Sequence, residues 1–182
     1  MDSNMTGGNL WSQWKINTTD ETFGKIISLA DDKWEPGVAL RKKEERKGDV
    51  FWCNEQWIYD LIWPCMMDAN REGRWEYKIV GAQDIQLTRY REKDFYNWHK
   101  DSMGSHGDTC NQGYARKLSM SMLLNSNFKG GDLEIFGAEI HPKLLNPGDL
   151  VVFPSFMHHR VTPVTEGTRY ALVVWFTGPP FL

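Results

Sequence analysis

The chain is expected to be mainly β with helices near its N-terminus: a jelly roll in which two sheets enclose a cavity. Three observations carry that reading. From Tyr77 onward, short β-rich runs are separated by Gly, Pro and Asn turns. Eight such runs can be counted, the strand number of a jelly roll. From about Thr19 to Arg74 the texture is different, and apolar residues recur mainly at helical spacing.

Met1 to Trp11 reads as a loose polar leader. Asp20 is the expected N-cap of a first helix, with Phe23, Ile26, Ile27 and Ala30 at helical spacing behind it. Arg41 to Lys47 is a mixed-charge run, read as a solvated loop with a substrate-covering loop as the alternative. A second helix starts after Asn54 and gathers Trp57, Ile58, Leu61, Ile62, Cys65, Met66 and Ala69 on one face. The expected strands are Ile85–Arg91, Phe95–Asp101, Lys117–Asn125, Asp132–Phe136, Glu139–Leu144, Leu150–Phe153, His159–Pro163 and Tyr170–Thr177. Gly130-Gly131 and Asn146-Pro147-Gly148-Asp149 are the strongest turn signals. No repeat, low-complexity segment or boundary interrupts the chain. One domain over residues 1–182 is expected, with helical support at about 19–74 and a jelly-roll core at about 77–178.

Composition narrows the class. The 182 residues suffice for a substantial core, and 41% hydrophobic with 25% charged residues is ordinary for a soluble globular protein. Nine Trp residues are unusual and are assigned to the core and to the rim of a cleft. A net charge of −3 argues against binding a nucleic-acid backbone. Cys53, Cys65 and Cys110 are odd in number and fit no CxxC zinc pattern, so reduced thiols and a cytoplasmic location are expected. Neither a signal-peptide pattern nor a membrane-length apolar run is seen, so no membrane partner is expected.

The chemistry lies in His99, Asp101, His159 and Arg169. His99 and Asp101 stand two apart on an expected strand, which turns both side chains to one face. With His159 far downstream, two imidazoles and a carboxylate can cap one side of Fe(II) and leave the other open. Arg169 can grip a carboxylate with two parallel hydrogen bonds. A metal with open positions beside such a clamp implies a 2-oxo acid cosubstrate and O2 chemistry. An isolated HxD reads as a surface strand with a chance His and Asp. Here it is followed by Phe153-Pro154-Ser155, His159, Val161, Pro163-Val164, Gly167 and Arg169, a series that chance supplies far less readily.

Through these residues the chain resembles the Fe(II)- and 2-oxoglutarate-dependent dioxygenases of the prolyl 4-hydroxylase-like subgroup, from roughly Gln86 to Phe176. Tyr90, Tyr96, His99 and Asp101, then Leu124-Asn125, Gly130-Gly131 and Leu133, and finally Gly148-Asp149-Leu150 and the run Arg169 to Phe176 carry the likeness. The resemblance implies a double-stranded β-helix in which His99, Asp101 and His159 hold Fe(II). It places Arg169 on the distal carboxylate of 2-oxoglutarate, a hydrogen bond from Tyr90 to that cosubstrate, and Trp175 along the site. O2 is the second cosubstrate, ascorbate the reductant, and succinate and CO2 the products. Leu123 stands where the animal enzymes place a Tyr; Ser119 and Ser121 share its strand face, and either hydroxyl can substitute, Ser121 being the one assigned to the site.

The implied reaction is hydroxylation of prolyl residues in a peptide or protein. The alternatives are hydroxylation of a free amino acid or other small molecule, and a non-catalytic jelly-roll binding module; a nucleic-acid demethylase is disfavoured for want of a basic patch. The spacing to Val161, Pro163 and Arg169 selects His159 over His158 as the ligand. His106 reads as a loop residue in Ser102–Gly113, His141 as a surface residue, Trp98 as a wall or core residue, and Tyr114, Arg116 and Lys117 as a solvated loop end rather than a substrate rim. Oligomeric state is left open.

Overall fold

The computed structural model describes residues 10–37, 45–110 and 113–181. In chain order its elements are β1 (Ser12–Lys15), α1 (Asp20–Ser28), β2 (Glu35–Pro36), β3 (Arg46–Lys47), β4 (Asp49–Cys53), α2 (Gln56–Glu72), β5 (Gly81–Ala82), β6 (Ile85–Tyr90), β7 (Phe95–His99), β8 (Ala115–Leu123), β9 (Phe128–Gly130), β10 (Leu133–Ile135), β11 (Asp149–Pro154), β12 (His159–Val161), β13 (Val164–Gly167) and β14 (Arg169–Gly178). The fold is mainly β, with these two helices among the described residues. A large sheet runs β1-β11-β8-β14-β6-β4-β2, with β5 also on β14; a smaller one runs β10-β12-β7-β3; β13 and β9 form a separate ribbon. Every pairing is antiparallel.

The central strands of the large sheet, β11, β8, β14 and β6, are buried on both faces, and both faces carry mostly residues suited to burial. On β14, Leu172, Val174 and Phe176 pack with the helices, as do Leu118, Met120 and Met122 on β8 and Leu150 and Val152 on β11. Helix α2 meets them with Ile58, Ile62, Met66 and Ala69, and α1 adds Phe23 and Ile26. The other face of the sheet looks inward: Tyr90, Val151 and Phe153 join Leu133, Ile135 and Val161 of the small sheet in a second apolar cluster. The sheet is thus a wall with the helices as an outer buttress, and the polar residues on its inner face line the interior.

Several local expectations need correction. Thr19, not Asp20, caps α1: its extended backbone lets its hydroxyl accept from the Thr22 N–H at 3.3 Å, and Asp20 sits in the first turn, where a carboxylate suits the helix dipole. The stretch between the helices is not helical. Asp49–Cys53 is a strand, because Val50 to Cys53 extend directly from Gly48 and pair with β6. Of the charged run 41–47, residues 41–44 lie outside the described residues, and Arg46–Lys47 form β3 against β7. Glu139–Leu144 is not a strand. Pro142 lacks an N–H for a ladder, and the segment is tied down by side chains instead: the Ile135 N–H reaches His141 Nδ1 at 3.3 Å, and Gln13 brackets the Lys143 backbone at 2.8 and 3.0 Å. Residues 1–9 of the expected leader lie outside the described residues, but Trp11 is buried in the inner cluster. Among the described residues no helix is long and apolar enough to cross a membrane.

Candidate functional site

The small sheet brings the two histidines together. Strand β7 ends at His99 and β12 begins at His159; the two are register partners, and their rings lie 4.1 Å apart. Asp101 lies just beyond the end of β7, so the HxD pair is not wholly on a strand. A hydrogen bond from its N–H to the Ser155 carbonyl, 3.0 Å, turns its carboxylate inward. Oδ1 is then 3.7 Å from His99 Nε2, and Oδ2 is 3.4 Å from His159 Nε2. One ligand atom from each of the three residues falls within 4.8 Å of the others.

The imidazoles are oriented for ligation. His99 Nδ1 lies 2.8 Å from the Asn97 carbonyl and His159 Nδ1 lies 2.9 Å from the Met157 carbonyl. A carbonyl can only accept, so each Nδ1 carries the proton and each Nε2 lone pair faces the cluster. Tyr96 stacks on His99 with centroids 3.6 Å apart, and Phe153 packs edge-on to His159 at 4.7 Å. Burial pushes the His99 pKa down to about 4, with His159 adding to the effect against the pull of Asp101. Burial alone would raise the Asp101 pKa, but His159, His99 and the Ser119 hydroxyl together hold it below the ordinary value. His99 is therefore neutral and Asp101 ionised at pH 7, the forms that bind a divalent metal. Ser119 Oγ donates to Asp101 Oδ2 at 2.7 Å, and the Ser119 and Ser155 hydroxyls are 3.0 Å apart.

The cluster opens on a cavity of about 700 Å³. Arg169 lies in its wall, 2% exposed and in register with Tyr90, and the space its side chain occupies exists because Gly131 has no Cβ; one there would lie 2.8 Å from Arg169 Cδ. The ion pairs among the described residues do not include Arg169. Burial lowers its pKa while Tyr90 and Asp132 oppose the shift, and a guanidinium remains charged throughout. Tyr90, Ser121, Val173 and Trp175 also line the cavity. Leu123 is fully buried and is not part of the lining, and Ser119 is engaged by Asp101, which leaves Ser121 as the hydroxyl open to the cavity.

Some residues behave otherwise than expected. Arg116 is not a solvated loop end: it lies 4.1 Å over the Trp175 ring, donates to Gln83 Oε1 at 2.6 Å and to the Asp101 carbonyl at 3.3 Å, and lines the cavity. Lys117 is buried too. His158 is exposed at the cavity mouth, and His106 is exposed in its loop. That loop folds around Asp108, which accepts from Ser102 Oγ at 2.6 Å and the Gly104 N–H at 3.1 Å; residues 111–112 lie outside the described residues. Tyr96 as a ring support and Arg46 in the cavity wall were not foreseen. Arg46 was hidden in a run of like-looking charges, and only its place on β3 distinguishes it.

The sequence model of the 2OG-Fe(II) oxygenase superfamily matches residues 85–177, a span that contains His99, Asp101, His159 and Arg169. A PKHD-type hydroxylase of Idiomarina loihiensis is 33% identical over 94 residues, covering 50% of this chain and 40% of its own. One of Teredinibacter turnerae is 40% identical over 91 residues, covering 47% and 39%. The chain thus spans about 40% of the length of the curated relatives it matches. Among solved structures, a Pseudomonas putida prolyl-4-hydroxylase aligns with a TM-score of 0.68 at 21% identity, over 94% of this chain and 92% of that one. A Trichoplax adhaerens prolyl hydroxylase, described in complex with a hypoxia inducible factor oxygen degradation domain peptide fragment, aligns with a TM-score of 0.71 at 18% identity, over 92% and 83%. At these identities the structural likeness concerns the fold.

Proposed function

The chain belongs to the 2OG-Fe(II) oxygenase superfamily, and on that premise we propose that it hydroxylates prolyl residues of a peptide or protein, consuming O2 and 2-oxoglutarate and releasing succinate and CO2. The observation that carries the reading is the His99–Asp101–His159 cluster at a cavity whose wall also presents an unpaired, buried guanidinium. Two imidazoles and one carboxylate on one side of a metal suit Fe(II) and leave room for a cosubstrate. The described part of the chain is read as one double-stranded β-helix domain, supported by the two-sheet arrangement and its prolyl hydroxylase fold neighbours.

When bound, the iron supplies O2 activation coupled to oxidative decarboxylation of 2-oxoglutarate, and ascorbate is the reductant that keeps it ferrous. The chain's own residues do the rest. His99, Asp101 and His159 would hold the metal. Ser119 keeps Asp101 ionised and fixes its orientation, and Tyr96 fixes the plane of His99. Arg169 would take the distal carboxylate of 2-oxoglutarate through its planar fork, with Tyr90 and Ser121 as hydroxyl partners. Val173, Trp175, Phe153 and Val161 supply the apolar part of the lining, which lowers the local dielectric and strengthens the charge contact. The fold likeness to an enzyme described with a bound peptide favours a peptide over a small molecule. The test is to incubate the protein with Fe(II), 2-oxoglutarate and ascorbate, measure succinate, and screen Pro-containing peptides by mass for a gain of one oxygen. Turnover of a free amino acid with none of the prolyl peptides would replace this substrate class.

A further inference from the structure

A second buried cation faces the cavity, and nothing in the reaction above uses it. Arg46 is 8% exposed on β3, opposite Tyr96 of β7. Its Nη2 donates to the neutral Gln86 amide oxygen at 3.1 Å, while its Nε is buried with no hydrogen-bond partner. The guanidinium lies 4.8 Å over the Tyr96 ring and 5.9 Å over that of Tyr90, and Tyr96 is the ring stacked on His99. Arg46 therefore stands one aromatic ring away from the metal cluster.

Glu45 lines the same cavity without an ion pair to Arg46, and three other nearby carboxylates are committed elsewhere. Asp94 pairs with Lys47 at 3.0 Å; Asp49 pairs with Arg89 and Arg91 at 2.7 and 2.8 Å; Asp101 faces the histidines and Ser119. The ion pairs among the described residues leave Arg46 out. Burying a guanidinium without a counter-charge is unfavourable, and aromatic faces and one amide offset only part of it. The backbone is nonetheless shaped to keep it there. A Cβ on Gly37 would come within 2.9 Å of Arg46 Nε, and one on Gly48 within 2.6 Å of the Tyr90 ring beneath it. A guanidinium in a cavity wall that joins no ion pair among the described residues can take a carboxylate through its remaining N–H donors.

We propose that Arg46 anchors a carboxylate of the primary substrate, so that the hydroxylated residue lies beside a negative charge. This rests on the oxygenase reading of the cavity, in which Arg169 already holds the cosubstrate's distal carboxylate. The carboxylate has two sources: an Asp or Glu side chain next to the reacting residue, or a free C-terminal α-carboxylate.

The experiment uses short peptides in matched pairs, Glu against Gln beside the reacting position and free C-terminus against C-terminal amide, each with and without proline. Binding to protein loaded with Mn(II) and 2-oxoglutarate is read by tryptophan fluorescence, since Trp52 and Trp175 line the cavity. Oxygen gain is read separately with Fe(II). In one of the two pair types the acid member is expected to bind about tenfold or more tightly than its amide, and the pair type identifies the source. Arg46→Gln should bring that ratio to near one, and Arg46→Lys should keep part of it, with circular dichroism confirming the fold. Equal binding of acid and amide by the native protein would overturn the proposal. So would a preference that survives Arg46→Gln, or one seen with Mn(II) alone in a parallel titration but absent once 2-oxoglutarate is bound, which would make Arg46 a cosubstrate contact. Preference for proline is scored independently: its absence sinks the prolyl reading and leaves the Arg46 ratio to be judged on the peptides that bind.

Discussion

Replacing Ser119 by Ala removes one hydroxyl from the support of the proposed metal ligand Asp101, and the structure sets the size of the effect. Asp101 is buried, and its Oδ2 accepts from Ser119 at 2.7 Å, a short charge-assisted bond. A hydrogen bond to an ionised group contributes about 1.5–3 kcal/mol. At about 1.4 kcal/mol per factor of ten, that is roughly 10- to 150-fold in a binding constant. Supporting contacts around metal ligands independently lie in the range of about 10- to 100-fold. Ser155, whose hydroxyl lies 3.0 Å from Ser119, also loses its neighbour, so the loss falls toward the upper part of the range. Ser119→Ala should therefore raise the Fe(II) concentration needed for half-maximal 2-oxoglutarate turnover by one to two orders of magnitude. Ser119→Thr, which keeps the hydroxyl and suits a strand, should recover most of it. The assay is succinate formation against Fe(II) concentration under anaerobic metal loading, with circular dichroism as a check on the fold. An Ala variant that folds and needs no more Fe(II) than the native protein would remove Ser119 from the support of the cluster.

Three further outcomes follow from the same geometry. His159→Ala should abolish metal-dependent turnover with the fold intact, while exposed His158→Ala should be mild; reversed effects on succinate formation would exchange their roles. Arg169→Ala should raise the 2-oxoglutarate KM by well over about tenfold, with Lys rescuing only in part because an ammonium lacks the planar fork; an unchanged KM would put the cosubstrate elsewhere. The metal-free protein should lose stability as pH falls from about 6.5 toward about 4, because the unfolded chain takes up a proton that partly buried His99 refuses, and above 6.5 this contribution is constant. Thermal melts across that range check the sign, and a melting temperature that rises on acidification contradicts it.

The elements that proved legible in the sequence are those whose pattern is local. The β14 run alternates helix-facing Leu172, Val174 and Phe176 with cavity-facing Val173 and Trp175, and α2 repeats Ile58, Ile62, Met66 and Ala69 at helical spacing, so a strand and a helix could be written from periodicity. His99, Asp101, His159 and Arg169 stood out because their spacing resembles a known pattern, and the structure brings one ligand atom of each of the first three within 4.8 Å of the others. What was lost depends on tertiary partners. Strand β4 is five residues long and reads as β only beside β6. Arg116 and Arg46 look like surface charges until Trp175 and Tyr96 are placed against them. Glu139–Leu144 carried a strand-like composition, but Pro142 and the side-chain ties from Gln13 and His141 hold it as a loop.

The central claim is that His99, Asp101 and His159 hold Fe(II) in a form that 2-oxoglutarate then joins. Anaerobic addition of 2-oxoglutarate to the Fe(II)-loaded protein tests it directly, because chelation of ferrous iron by a 2-oxo acid produces a visible charge-transfer absorption. The native protein should develop that absorption and reach saturation at one iron per chain, and His159→Ala should not. Iron that binds without the absorption appearing, or an absorption that persists undiminished in His159→Ala, would contradict the account.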